Sequence, residues 1–269
     1  MTKQLIVSAD DFGLSSEVNE AVERAHRDGI LRAASLMVAG PAAEDAIRRA
    51  RALPALRVGL HVVLVNGRPL LPARDVAPLV DARGEFPRDL VAAGVRFFFQ
   101  PGARRALRAE IRAQFEAFAR TGLELDHVNA QNHMHVHPTV LGIIIEVGPQ
   151  FGMRAVRVPR EPNDAAFLVP WLVLMRRRLR RAGIATNDVV FGIRDSGHMT
   201  RDRVLEYLER LEPGVCEMYF HPATGPWAGI DPQIADYDFA GELEALTSSV
   251  VRAKLAAVGA DALTYSDLC

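Results

Sequence analysis

Cysteine is scarce in this chain. Two in 269 residues, Cys216 and Cys269, cannot build a disulfide framework, so a buried core must hold the fold. An excess of charge of one sign is also missing. With 32 Lys and Arg against 33 Asp and Glu, nothing points to nucleic acid, because phosphate binding needs clustered positive charge. No apolar run approaches the roughly 18 residues of a membrane span, and LIVSA after MTKQ is too short for a signal-peptide core. A Gly-rich phosphate loop, a Ser-His-Asp signature and a Cys nucleophile are absent as well. Gly197, in Ser196-Gly197-His198-Met199, lacks the spacing of a nucleophile elbow. The expectation is a soluble, cytoplasmic chain forming one domain over 1–269.

What the sequence does contain is alternation. Short β-branched runs at Leu5–Val7, Ser35–Val38, Arg57–Val65, Leu123–Ala130, Ala155–Val158, Asp188–Gly192, Val215–Phe220 and Ala262–Tyr265 are separated by stretches of helical periodicity. Ser16–Asp28 reads as a helix closed by Gly29, Ala103–Arg120 as another, and Pro41 and Pro138 each as a helix opening. Strand and helix alternating about seven times predict an α/β fold with a parallel sheet. The first expectation is a (β/α) barrel of seven to eight strands, distorted or incompletely closed; an open doubly wound sheet is the second. The Pro-, Gly- and Arg-rich stretch 66–102 reads as a long irregular, lid-like insertion.

Catalytic groups in such folds sit just past the carboxyl ends of strands. Those positions hold Asp10-Asp11-Phe12-Gly13, Gly59-Leu60-His61, Gln131-Asn132-His133-Met134-His135-Val136-His137, Arg157 and His221. A kinase Asp-Phe-Gly is excluded, since only ten residues precede Asp11-Phe12-Gly13 and that fold's phosphate loop must come first. Each motif has a structural reading: a helix N-cap for the aspartates, hydrogen-bonded core histidines for the rest. Taken together at strand ends, they favour a metal-dependent hydrolase, with a divalent cation held by a carboxylate and imidazoles and a position open to water. Adjacent Asp10 and Asp11 in an extended strand would point to opposite sides, so one could hold metal while the other acts as base.

These motifs, in this order over the whole chain, resemble the YdjC-like carbohydrate deacetylases: Asp10-Asp11-Phe12-Gly13, Gly59-Leu60-His61, the His-x-His-x-His-Pro segment and Phe220-His221-Pro222. Asp126-His127-Val128-Asn129, Arg157–Glu161, Ser196–Thr200 and Tyr219–Thr224 are similar to the branch associated with hopanoid biosynthesis. The resemblance implies a hydrolase that removes the N-acetyl group from an N-acetylglucosamine moiety on a hopanoid glycolipid. It implies a divalent metal ion, Mg or Zn, bound by Asp11 and His61, with Asp10 as general base, His221 as general acid and Arg157 orienting Asp10. Where the family has its third ligand, a His, this chain has Gln131. Three outcomes stay open: Gln131 coordinates through its carbonyl, His133 completes the site, or the metal is weak or absent and a sugar-lipid binding protein remains. Deacetylation of soluble chitooligosaccharides is the other enzymatic reading. The partners implied are an N-acetylglucosamine-containing substrate, lipid-linked, and a second copy in a homodimer.

Pro170–Met175 runs into five arginines among positions 176–181, and Arg96 with Phe97-Phe98-Phe99 adds apolar bulk. One expectation is peripheral contact with the inner membrane face; the other is a helix packed on the barrel with a solvated Arg face.

Overall fold

Six strands, β1 (Lys3–Phe12), β2 (Ala33–Leu36), β3 (Arg57–Val62), β4 (Leu125–Ala130), β5 (Val189–Phe191) and β6 (Gly214–Phe220), form a curled parallel sheet in the order β4-β3-β2-β1-β6-β5. The computed structural model describes residues 2–162 and 168–269. A seventh strand, β7 (Asp261–Leu263), runs beside the first half of β1, from Gln4↔Asp261 to Ile6↔Leu263. β1 is the axis of the sheet: it pairs with β6 from Lys3↔Gly214 to Ala9↔Phe220 and with β2 at Ser8↔Ala33 and Ala9↔Ala34. Its run Leu5–Ala9 is buried on both faces, as expected of a strand inside a parallel sheet.

The stretch Ala155–Arg160 spans the gap between β4 and β5. The amide of Arg157 donates to the carbonyl of Val128, that of Val156 to Ala185, and that of Val190 to Arg160. It makes only isolated bridges rather than a regular strand. The side chain of buried Asn187 replaces the missing ladder, accepting from the Val158 amide at 2.8 Å and donating to its carbonyl at 2.9 Å. The expected distorted α/β barrel is thus the observed architecture.

Helices α1 (Ser16–Asp28), α2 (Ala43–Arg51), α3 (Leu90–Phe99), α4 (Pro101–Arg120), α5 (Pro138–Val147), α6 (Val169–Arg181), α7 (Arg201–Glu209), α8 (Phe239–Thr247) and α9 (Ser249–Val258) cover the outside. Two expectations need correcting. Pro41 does not open α2; it lies in a turn held by the Ala42 amide donating to the Gly13 carbonyl, and the helix begins at Ala43. The stretch 66–102 is not wholly irregular, because Asp89 caps a helix there, accepting from the amides of Val91 and Ala92. No helix among the described residues is long and apolar enough to cross a membrane.

Candidate active site

The carboxyl ends of the strands open on a cavity of about 690 Å3 lined by Asp10, Asp11, His61, Gln131, His133, Tyr219 and His221. The aspartates are not caps. Ser15 caps α1 by accepting from the Val18 amide at 3.2 Å, and Asn19 holds the Gly13 amide at 2.8 Å. Nor do they alternate as extended residues would. The register of β1 against β2 shifts between Ala9 and Phe12, and Asp11 has φ +61°. This left-handed kink, unusual for a non-glycine residue, corrects the expectation of opposite directions and turns both carboxylates to one cavity.

Asp10 is buried and accepts four hydrogen bonds. Its Oδ1 takes Ser35 Oγ at 2.7 Å, Asn129 Nδ2 at 2.9 Å and Arg157 Nη2 at 3.0 Å; its Oδ2 takes Arg157 Nη1 at 2.6 Å. Burial opposes ionisation, but the Arg157 charge and hydrogen bonds outweigh it and hold the carboxyl well below the usual carboxylate range. Oδ2 keeps the spare lone pair.

Arg157 is fully buried and stands behind Asp10 rather than in the cavity wall. Its other side is clamped by Glu217, which receives Nε at 2.8 Å and Nη2 at 2.8 Å. Glu217 in turn accepts from Ser8 Oγ at 2.6 Å and from the Tyr265 hydroxyl at 2.6 Å. The guanidinium also lies 4.7 Å from the centre of the Tyr219 ring. Arg157 is a positioning group, bidentate towards two carboxylates as only its planar fork allows.

His61 is equally constrained. Asn129 must give its NH2 to Asp10, an acceptor only, so its Oδ1 faces His61 Nδ1 at 2.8 Å and accepts a hydrogen bond from it. Nε2 then carries a lone pair, and it faces Asp11 Oδ1 at 3.3 Å. Two acceptors at that distance require a proton or a cation between them. Burial would lower the His61 pKa, but the bond to Asp11 and the charge of Asp10 raise it.

Gln131 begins the turn after β4, and its Oε1 is buried with no hydrogen-bond partner. Carboxylate, imidazole nitrogen and an unsatisfied amide oxygen on one cavity form a donor set that fits a divalent cation with open positions. Among the described residues no three His, Cys, Asp or Glu side chains gather as a metal cluster. His133 follows in a second left-handed kink, with Asn132 at φ +49° and His133 at φ +53°. Its Nε2 is 3.3 Å from the Tyr219 hydroxyl, and burial and the Arg157 charge push its pKa down to about 4. The other two histidines of the cluster serve the fold: His135 Nε2 donates to the Arg157 carbonyl at 3.0 Å, and His137 Nδ1 caps α5.

His221, past the end of β6, lines the cavity, and its amide donates to buried Glu242. Its ring lies 5.4 Å from that of Tyr219 and 5.3 Å from that of Tyr237. Ser35, Glu217 and Tyr265 are not singled out by the sequence as functional, and Asn129 and Tyr219 stand there only within motifs, with no role assigned. Glu217 carried the clearest signal, a lone charge inside the apolar strand Val215–Phe220.

A family model described as "YdjC-like protein" matches residues 4–257. A carbohydrate deacetylase of Geobacillus stearothermophilus is 33% identical over 274 residues, covering 99% of this chain and 98% of the relative. A carbohydrate deacetylase of Thermoanaerobacter pseudethanolicus is 30% identical over 82% of this chain and 81% of its own. Among solved structures, one from Enterococcus faecalis superposes with a TM-score of 0.80 at 23% identity over the whole of both chains, which speaks for the fold.

Proposed function

The chain belongs to the YdjC-like family, and from that premise we propose that it is a carbohydrate deacetylase, hydrolysing the N-acetyl group of an N-acetylglucosamine moiety with a divalent metal ion. The observation that carries this reading is the pairing of an ionised, four-times hydrogen-bonded Asp10 with the Asp11–His61 couple on one cavity. Its support from relatives is the deacetylase activity named for proteins aligned over nearly the full length.

Asp11, His61 and Gln131 would hold the metal, with His133 the alternative third donor. Gln131 Oε1 and His133 Nδ1 are both buried without a partner, while His133 Nε2 faces Tyr219; Gln131 is preferred as the residue that stands where the family has its third ligand. When bound, the metal supplies Lewis-acid polarisation of the amide carbonyl and lowers the pKa of water. Asp10 accepts the proton of the attacking water at Oδ2, the oxygen with a lone pair to spare. Arg157 keeps that carboxylate charged and fixed. His221, which lines the same cavity, gives a proton to the departing nitrogen, since an amide nitrogen does not leave as an anion. The products are acetate and a free amine on the sugar.

The hopanoid-like motifs make a lipid-linked N-acetylglucosamine the substrate of choice over chitooligosaccharides. Acetate release from chitobiose and from an N-acetylglucosaminyl hopanoid, each with and without chelator, tests the whole reading. Chelation is expected to abolish release, Asp10→Asn to abolish it with the fold retained, and the glycolipid to be preferred. Near-normal turnover by Asp10→Asn would remove the assigned roles. Gln131, neutral where the family has a His, sustains a second reading as a sugar-lipid binding protein. Stabilisation by substrate but not by divalent cations in a thermal-shift titration would favour that one.

A further inference from the structure

Helix α3 wears its apolar side outwards. Val91, Val95 and Phe99 are 78%, 54% and 72% exposed, with Phe98 and Leu90 also open. Spaced at i, i+4, i+7 and i+8, residues 91, 95, 98 and 99 form one stripe along the helix. Ala93 and Phe97 fill the opposite, buried side. Five of the eight exposed large hydrophobic residues among those described lie on this single element. Its first turn reaches the cavity rim, where Arg88 and Leu90 are part of the wall.

Cationic side chains accompany the stripe. α3 carries Arg96 and no Asp or Glu, and α6 carries Arg176, Arg177, Arg178, Arg180 and Arg181 and no Asp or Glu, Arg176 being turned aside into an ion pair with Asp188. Both helices meet the same corner of the barrel: Phe97 and Phe98 pack edge-on against His137, and Trp171 Nε1 donates to the Val136 carbonyl at 2.8 Å. Leu168, just before α6, and Leu174 within it are also exposed. Arg104 from the next helix lies over the Phe98 ring at 5.7 Å.

We infer that the outward face of α3, with the arginines around it, is a docking surface for an anionic lipid bilayer. An amphipathic helix of this kind lies in the interface plane, its apolar side among acyl chains and its arginines at the head groups. A second copy of the chain suits the patch less well. A ten-residue helix is only about 15 Å long, too short alone for the roughly 800 Å2 per partner of a stable interface. A two-fold contact would also set arginines against arginines. The surface stands on its own geometry; its catalytic use, presenting a membrane-anchored sugar at the rim, rests on the deacetylase reading.

Sedimentation with vesicles tests the surface without any assay of activity. The intact protein is expected to bind vesicles containing phosphatidylglycerol at low salt, to bind pure phosphatidylcholine weakly, and to lose binding as salt rises. Val95→Glu with Phe99→Glu, both at exposed positions outside the cavity wall, is expected to cut binding by about tenfold or more with an unchanged melting curve. No binding to anionic vesicles at low salt overturns the inference. So does undiminished binding by the double variant, which would assign the contact to arginines elsewhere. A dimer in light scattering that the double variant converts to monomer, without vesicle binding by either, would assign the face to a second copy.

Discussion

Among single residues, Asn129 and Arg157 act without touching substrate. Asn129 sets which nitrogen of His61 carries the proton, so on the proposed metal-dependent reading Asn129→Ala is expected to weaken divalent-cation binding by about 10–100-fold, as removal of such orienting partners does; titration calorimetry with Zn and with Mg reads it directly. Arg157→Lys keeps a charge but cannot span Asp10 and Glu217 together. Leaving buried oxygens unmatched in this way should lower stability by about 3 kcal/mol and reduce kcat far more than it raises KM, measured by urea unfolding and steady-state kinetics. The sequence disclosed the groups facing the cavity, Asp10, Asp11, His61, Gln131, His133 and His221, since strand ends mark them. It disclosed little of what holds them. Ser35 and Asn129 meet Asp10 only because β1, β2, β3 and β4 lie side by side in the sheet, and pairing between distant segments leaves no local trace. The direction of Asp11 was misjudged for a similar reason: a bulge replaces strict alternation.

At the scale of elements, the Gly59-Leu60-His61 motif has a packing cause for its glycine. A Cβ on Gly59 would stand 2.5 Å from Cε1 of His127, inside the barrel wall. Gly59→Ala is expected to cost about 1–3 kcal/mol through overpacking, read as a lower unfolding midpoint, and to disturb His61 two residues on. His127 is itself held by Asp126 Oδ2 at 2.8 Å, while Asp126 Oδ1 takes the amide and hydroxyl of Ser266. Burial would raise the Asp126 pKa, but His127 and Ser266 bring it below the ordinary carboxylate value. A group depressed in the folded state stabilises above its unfolded pKa, about 3.9, and that contribution fades as pH falls through the lower folded value. Asp126→Asn should therefore cost about 1–3 kcal/mol at pH 7, with the gap to wild type closing on acidification below about pH 4; denaturation at steps from pH 7 to pH 3 would show it. The alternation of strands and helices was legible because short, largely apolar runs are separated by stretches of helical periodicity. Ala155–Arg160 was legible as strand-like but not as irregular, since Asn187, far along the chain, supplies its pairing.

For the whole molecule, the final residues matter more than their place in the chain suggests. Tyr265 is fully buried and reaches Glu217, although it lies beyond the matched span 4–257. Deleting 265–269 should cost about 3–5 kcal/mol, the range for losing a large buried aromatic, and should depress acetate release as well; calorimetry and the acetate assay together would detect both. From Tyr265 through Glu217 and Arg157 to Asp10, one unbroken file of buried polar contacts runs up the inside of the barrel. A lesion at its foot would thus register in a genetic screen as an enzyme that has lost its chemistry, while every atom that meets the sugar is still the inherited one.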